Sequence, residues 1–508
     1  MTLIVPRFID KSQYAYWQTY VLYAGYVGVL HFGLLDGLVL RYSKYDYEEL
    51  DKARLRSQFQ ILLTFTSILT LLMIAVTFFA ATGPYRTVFI LVAVAIITKN
   101  VFTYNSYMFQ ITNRISKYVI LVISQRLAYG IFVAMLLALR VNHFYWYCIA
   151  DLFGDAVGIA LGFVFNKGLY FGKALPMREA FGELKVNVLS GIILMMANWS
   201  AMLMIGSAKM MIQWRWDKLL FADVSFAFSV SNVFLVFVTA VSVVLFPSLQ
   251  RIEREKLPEM YKNIRNILSP LLFFVMLFYF VGCFILNKWL PQYSDSLRYL
   301  GILLPIVVFS SKVSLLTNNY LKVYRKEKTM LVVNIISICV GLLLFTLCAY
   351  AFSRLIALLV CVVAVVMLNS ILSEIFVMRI LHIKIVKDFI IEGVMAVAFI
   401  LCATQFGIWV GFGVYAAVFA VYAALNYKSI WALLLRLRRK VAPTAATVGA
   451  TEGNSGSVPV SIEAESGEAQ TAEQQEEITL TEEMRIPVSD GDGDTNADEA
   501  QTEGEGEE

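Results

Sequence analysis

Lys99-Asn100-Val101-Phe102-Thr103-Tyr104-Asn105-Ser106-Tyr107 and Lys312-Val313-Ser314-Leu315-Leu316-Thr317-Asn318-Asn319-Tyr320 spell one pattern twice, Lys-x5-Asn-[Ser/Asn]-Tyr, 213 residues apart. Both stretches lie inside long apolar segments. A lysine at the centre of a bilayer costs about 2.5–3.5 kcal/mol even on insertion scales. Two of them at matching places suggest a duplicated helical fold with a cationic interior, which is the pattern of a transporter more than of an enzyme.

Working outward, 59% of the 508 residues are hydrophobic and 14% aromatic, with a mean hydropathy of +0.68. Soluble domains hold about 45–50% apolar residues. Thirteen apolar runs reach the length a bilayer needs, about 20 residues. They lie near 14–37, 59–82, 87–110, 118–138, 144–165, 186–206, 221–247, 266–287, 299–320, 330–352, 355–378, 388–406 and 411–427. Lipid offers no partner to an open backbone, so each is expected to be a helix. The loops after the odd-numbered runs and the segment after run 13 carry 28 Lys/Arg, and the opposite side carries 10. The first set is therefore expected in the cytoplasm.

The halves of the chain also match in layout. Tyr14–Leu62 and Phe221–Leu268 each comprise a long helix, a charged loop and the start of another helix, at an offset of about 207. The motif-bearing runs cross in the same direction, so the repeats are expected to be parallel. This predicts an all-α polytopic membrane protein of two helical lobes around a central cavity. The expected organisation is an N-lobe at 1–175, a C-lobe at 176–381, an extra helix pair at 382–440 and a tail at 441–508. The tail holds 18 Asp/Glu against the single Arg485, a composition that predicts a disordered acidic cytoplasmic segment.

These features resemble the MOP flippase superfamily, in the polysaccharide-transporter branch that contains the Wzx-type O-antigen flippases. The resemblance rests on Tyr14-Ala15-Tyr16-Trp17 opening a helix that closes on Gly33-Leu34-Leu35-Asp36-Gly37 and Arg41, echoed by Asp217-Lys218 before Phe221 and by Phe246-Pro247-Ser248-Leu249. It covers about residues 1–435. Against the family pattern a first helix is expected to be missing, with Met1–Pro6 reading as its stub, and two helices follow the twelfth. The resemblance implies alternating access. It also implies a polyprenyl-diphosphate-linked oligosaccharide as substrate, a multi-pass location in a bacterial cytoplasmic membrane, and contact with membrane lipids and polysaccharide-assembly proteins.

Candidate substrate-binding residues are Lys99, Lys312 and Arg126, the three basic residues set well inside apolar runs, with Asn105 and Asn318 from the repeated motif. Lys99 is eleven residues from Gln110, roughly 16 Å along a helix, which is long for snorkelling. Cavity-facing lysines would bind a diphosphate; the competing reading is interhelical hydrogen bonding or snorkelling. Asp151 and Asp155 lie one turn apart. They are candidates for ion coupling, because neighbouring carboxylates split their titration; they would equally suit a pairing with Arg126. Asp36, Glu374 and Glu392 lie near helix ends and read as interface anchors. No catalytic motif, metal-ligand spacing, cofactor signature or nucleic-acid-binding pattern is found. The rivals are a cation-coupled multidrug-type exporter of the same superfamily, against which a basic interior argues, and a membrane glycosyltransferase or polymerase.

Overall fold

A computed structural model describes residues 3–43, 45–250, 252–383 and 386–425. The predicted acidic tail at 441–508 and the end of the extra pair lie outside the described residues. Among the described residues every regular element is helical. The first part runs α1 (Val5–Phe8), α2 (Lys11–Ala24), a tight turn at Val27–His31, α3 (Leu34–Tyr42), α4 (Lys52–Ala80), α5 (Pro84–Ile111), α6 (Ile115–Ala138), α7 (Phe144–Phe165), α8 (Lys167–Tyr170) and α9 (Met177–Arg215). The second part runs α10 (Lys218–Gln250), α11 (Leu257–Val275), α12 (Phe278–Trp289), α13 (Ser294–Leu303), α14 (Pro305–Lys312), a wide turn at Val313–Thr317 and α15 (Asn318–Val323). It ends with α16 (Glu327–Thr346), α17 (Leu355–Leu381), α18 (Val386–Gln405) and α19 (Ile408–Leu425).

Among the described residues eleven helical stretches, α11 with α12 counting as one, are long and apolar enough to cross a membrane, and the number is thirteen when two bent pairs each count as one span. The bends have local causes. Between α2 and α3 the chain turns by 55° where Phe32 and Gly33 both take positive φ, 49° and 84°, a conformation that only glycine adopts freely. Between α13 and α14 the 40° bend falls at Pro305, which has no N–H to give the Gly301 carbonyl. Starts are equally legible. Asp51 caps α4 by accepting from the N–H groups of Ala53 and Arg54, and Gly83-Pro84 opens α5 with proline in the first turn.

The sixth run is longer than its apolar core. It is expected at 186–206, but the helix extends over the 39 residues of α9. This puts Lys209 inside a helix rather than in a loop. The half-buried Lys209 ammonium lies 5.7 Å from the centre of the Phe228 ring.

Helices α3 and α9 approach through glycine. A Cβ at Gly191 would lie 2.1 Å from the Gly33 carbonyl oxygen, and one at Gly37 would lie 1.9 Å from that of Asn187. Small residues at such seams let helix backbones touch where lipid gives no hydrophobic drive to association. Near this seam Arg41 donates to Glu183 and Asn187, and the Tyr42 hydroxyl donates to Glu183. At the other end of the bundle, α2 is tied to later helices by the Lys11–Asp223 ion pair at 2.7 Å and by Lys218 donating to Tyr16 at 3.2 Å. Trp214 and Gln213 of α9 bond Tyr23 there as well.

The repeat leaves a trace in contacts. Tyr104 donates to the Leu55 carbonyl at the start of α4, and Tyr320 donates to the Leu257 carbonyl at the start of α11. The sequence motif aligns Tyr320 with Tyr107. The structural counterpart is Tyr104, about one helical turn earlier, so the motif marks the right helix face and misplaces the register.

Candidate functional site

Two internal clusters of charge hold the motif lysines. In the first, Lys99 of α5 donates to Asp151 at 2.8 Å and to Asp155 at 3.1 Å, both on α7. Three neutral groups complete it: Tyr20 of α2 donates to Asp151 at 3.0 Å, Gln125 of α6 to Asp155 at 2.7 Å, and Thr98 to Asp155 at 3.3 Å. Four helices thus converge on one ammonium. The Lys99 and Asp151 side chains remain 24% and 22% exposed, while that of Asp155 is 1% exposed. The cluster therefore has one accessible side and one closed side.

The second cluster is drier. Lys312 at the end of α14 bonds Glu392 and also pairs with Glu374. Arg265 of α11 reaches three carboxylates: Glu374 at 3.2 Å, Asp388 at 2.8 Å and Glu392 at 2.9 Å. Ser269 donates to Glu392 at 2.9 Å. Lys312, Arg265, Glu374 and Glu392 are all buried, and Asp388 is at the exposed edge. A cavity of about 20 Å³ lies beside Arg265, Ser269, Asp388 and Glu392, room for about one water molecule.

Both clusters hold one carboxylate more than they hold cations: Lys99 faces two, and Arg265 with Lys312 face three. This corrects the picture of a cationic interior. Lysine in a dehydrated setting needs a compensating charge, and here the chain supplies it. The predicted diphosphate ligand Lys99 and the predicted ion-coupling pair Asp151 and Asp155 are one site. Glu374 and Glu392 are internal partners rather than interface anchors. Asp36 is also buried, with the His31 imidazole 3.7 Å away.

The remaining predicted residues lie apart from the clusters. Arg126 is exposed on α6 beside exposed Ile123 and Leu127 and makes no ion pair among the described residues. Asn105 is fully buried; it donates to the Val101 carbonyl and accepts from the Tyr170 hydroxyl, fastening α5 to α8. Asn318 is half-buried. Its neighbour Asn319 donates across to the Ser242 hydroxyl of α10 at 3.1 Å, and within its own span to the Leu315 carbonyl one turn earlier at 3.0 Å.

Arg265 closes a charged stretch, Arg251–Arg265, whose composition reads as a loop rather than as part of a span. The available signal was spacing. Arg265 stands eight residues into a run that begins at Leu257, and Ser269 follows one turn later on the same face. Among the described residues no group of His, Cys, Asp and Glu is arranged to hold a metal ion.

No protein-family model matches the sequence, and no curated protein matches it. Solved structures do match. The fold is similar to that of the lipid II flippase MurJ in an inward closed conformation, with a TM-score of 0.61 and 13% identity over 84% of this chain and 96% of that one. It is also similar to a multidrug resistance MATE family transporter of the MOP superfamily in an inward-facing conformation, with a TM-score of 0.59 and 11% identity over 74% of this chain and 95% of that one. The chain therefore has the all-helical membrane fold shared by a lipid flippase and a multidrug transporter.

Proposed function

We propose that this protein is a flippase for a polyprenyl-diphosphate-linked oligosaccharide in surface polysaccharide biosynthesis, working by alternating access in a bacterial cytoplasmic membrane. The observation that carries the reading is Lys99: a partly exposed ammonium midway along a membrane helix, held by two carboxylates that a diphosphate can replace. A coupling ion taken up by the Asp151 and Asp155 pair loosens that hold and frees the lysine for phosphate, so cargo binding and ion binding are linked at one place. Lys312 plays the matching part in the second half, with Arg265 keeping its carboxylates paired when it turns to ligand. Asn105, Asn318 and Arg126 are assigned no contact with cargo in this arrangement. The lobes proposed to rock are residues 1–175 and 176–381, with α18 fastened to the second through Asp388 and Glu392.

Two further points support the lipid-linked cargo. The likeness to the flippase takes in about a tenth more of this chain than the likeness to the multidrug transporter, which is the length of two helices. The flippase in that comparison acts on lipid II, by its name. Lipid tails in the bilayer and polysaccharide-assembly proteins are the expected partners.

A second reading, a cation-coupled exporter of small amphipathic cations, is favoured by one observation: each cluster holds an excess carboxylate. The test is genetic. Lys99→Gln is expected to abolish surface glycan while protein abundance stays normal and sensitivity to cationic drugs is unchanged. Undiminished glycan with a raised drug sensitivity would favour the exporter instead.

A further inference from the structure

A groove of about 580 Å³ opens between the bend of α2 and α3, the first half of α4 and the first turns of α9. Its size is that of a small-molecule site, which ranges over about 300–1,000 Å³. Phe32, Leu62, Phe65, Ile68, Phe181 and Leu184 make its walls, and Phe32, Phe65, Ile68 and Phe181 present exposed faces to it or its mouth. Neither lysine cluster contributes to it.

The groove lies at the basic end of the bundle, and the segment 173–188, which lines it from Leu175 to Val188, carries three cations. Arg178 and Lys185 stand one residue beyond the lining Met177 and Leu184, and Lys173 stands two residues before the lining Leu175. All three are exposed. Among the described residues none of them pairs with a carboxylate, whereas Arg41 and Arg54 nearby both pair with Glu183. Arg56 donates to the carbonyls of Gly168 and Lys173, which fixes the connecting segment at this end. An apolar slot flanked by these cations on one of its lining segments matches a molecule with a hydrocarbon chain and an anionic head.

We propose that this groove is a binding site for one anionic phospholipid of the leaflet at the basic end. An acyl chain lies along α4 and α9 beside the bend of the first span. The phosphate sits among Lys173, Arg178 and Lys185. Basic residues between membrane helices recognise anionic head groups in this way, and the apolar walls add chain burial that a surface patch lacks. The site is independent of the cargo proposed above.

The test is lipid retention by the purified full-length protein, read by native mass spectrometry after incubation with phosphatidylglycerol or phosphatidylcholine. The wild type is expected to retain phosphatidylglycerol at least about tenfold more often. The triple variant Lys173→Gln, Arg178→Gln, Lys185→Gln is expected to fall to the phosphatidylcholine level. Leu184→Trp, which fills the slot, is expected to lose both lipids. Lys256→Gln with Lys262→Gln, basic residues on another element, is expected to change nothing. A melting curve on each variant establishes that it is folded. Equal retention of the two lipids by the wild type, or undiminished retention by both groove variants, overturns the proposal. So does a polyprenyl phosphate occupying the groove in place of phospholipid.

Discussion

Replacing Lys312 with methionine removes a cation that is 1% exposed from between Glu374, 0% exposed, and Glu392, 4% exposed. Arg265 is then the single cation facing three carboxylates. Methionine fills nearly the same volume, so the loss is electrostatic rather than steric. Breaking a buried pair by removing one partner costs about 3–5 kcal/mol, because the orphaned charge stays buried. Glu374→Gln in the same chain removes one orphan and is expected to return about 2 kcal/mol, a coupling of the size that residues in one network show. Equilibrium unfolding of the purified protein in mixed detergent micelles, run as a double-mutant cycle, reads both numbers. The same change at Lys99 is expected to cost less, about 1–3 kcal/mol, since Lys99 and Asp151 are partly exposed and Asp155 is the one carboxylate left buried. A Lys312→Met variant within about 0.5 kcal/mol of wild type, or a double variant no better than the single, would refute a compensated buried network.

Three other outcomes follow from the packing. Gly191→Val places a Cβ 2.1 Å from the Gly33 oxygen and 2.2 Å from the Gly37 nitrogen; it is expected to cost about 1–3 kcal/mol or more, read as loss of a monodisperse peak after extraction, while Gly182→Ala, with open space around its Cβ, extracts normally. Tyr104→Phe and Tyr320→Phe each delete one bond to a helix-start carbonyl, so melting scans are expected to show similar losses of about 0.5–1.5 kcal/mol for the two. Arg126→Gln is expected to leave stability within about 0.5 kcal/mol, because Arg126 is exposed and makes no described ion pair; a large drop in melting temperature would place it in the interior.

The number of spans was readable because hydrocarbon thickness imposes a length on every crossing, and the bent spans were still apolar enough to count. Breaks were harder. Gly25, Gly28 and Gly33 sit in a segment whose hydropathy alone reads as one straight helix, and only the positive φ at Phe32 and Gly33 reveals the turn. The lysines were legible as anomalies in an apolar context. Their partners were not, since Lys99 meets carboxylates 52 and 56 residues away and Lys312 meets one 80 residues away. Pairing across that distance depends on which helices become neighbours, and periodicity within one helix carries no such information. The same limit explains Glu374 and Glu392. A carboxylate near a helix end faces water in most settings, and these two are buried by α11 and α14 packing over them. Asn105 shows the reverse error, a motif residue that serves contact between elements.

The most direct measurement is translocation in proteoliposomes that contain the purified protein and a fluorescent polyprenyl-diphosphate sugar. The account expects the wild type to expose the sugar to an outside reagent many times faster than empty vesicles do, and Lys99→Gln to fall to the empty-vesicle rate while remaining folded. Equal rates in wild-type and protein-free vesicles would contradict it.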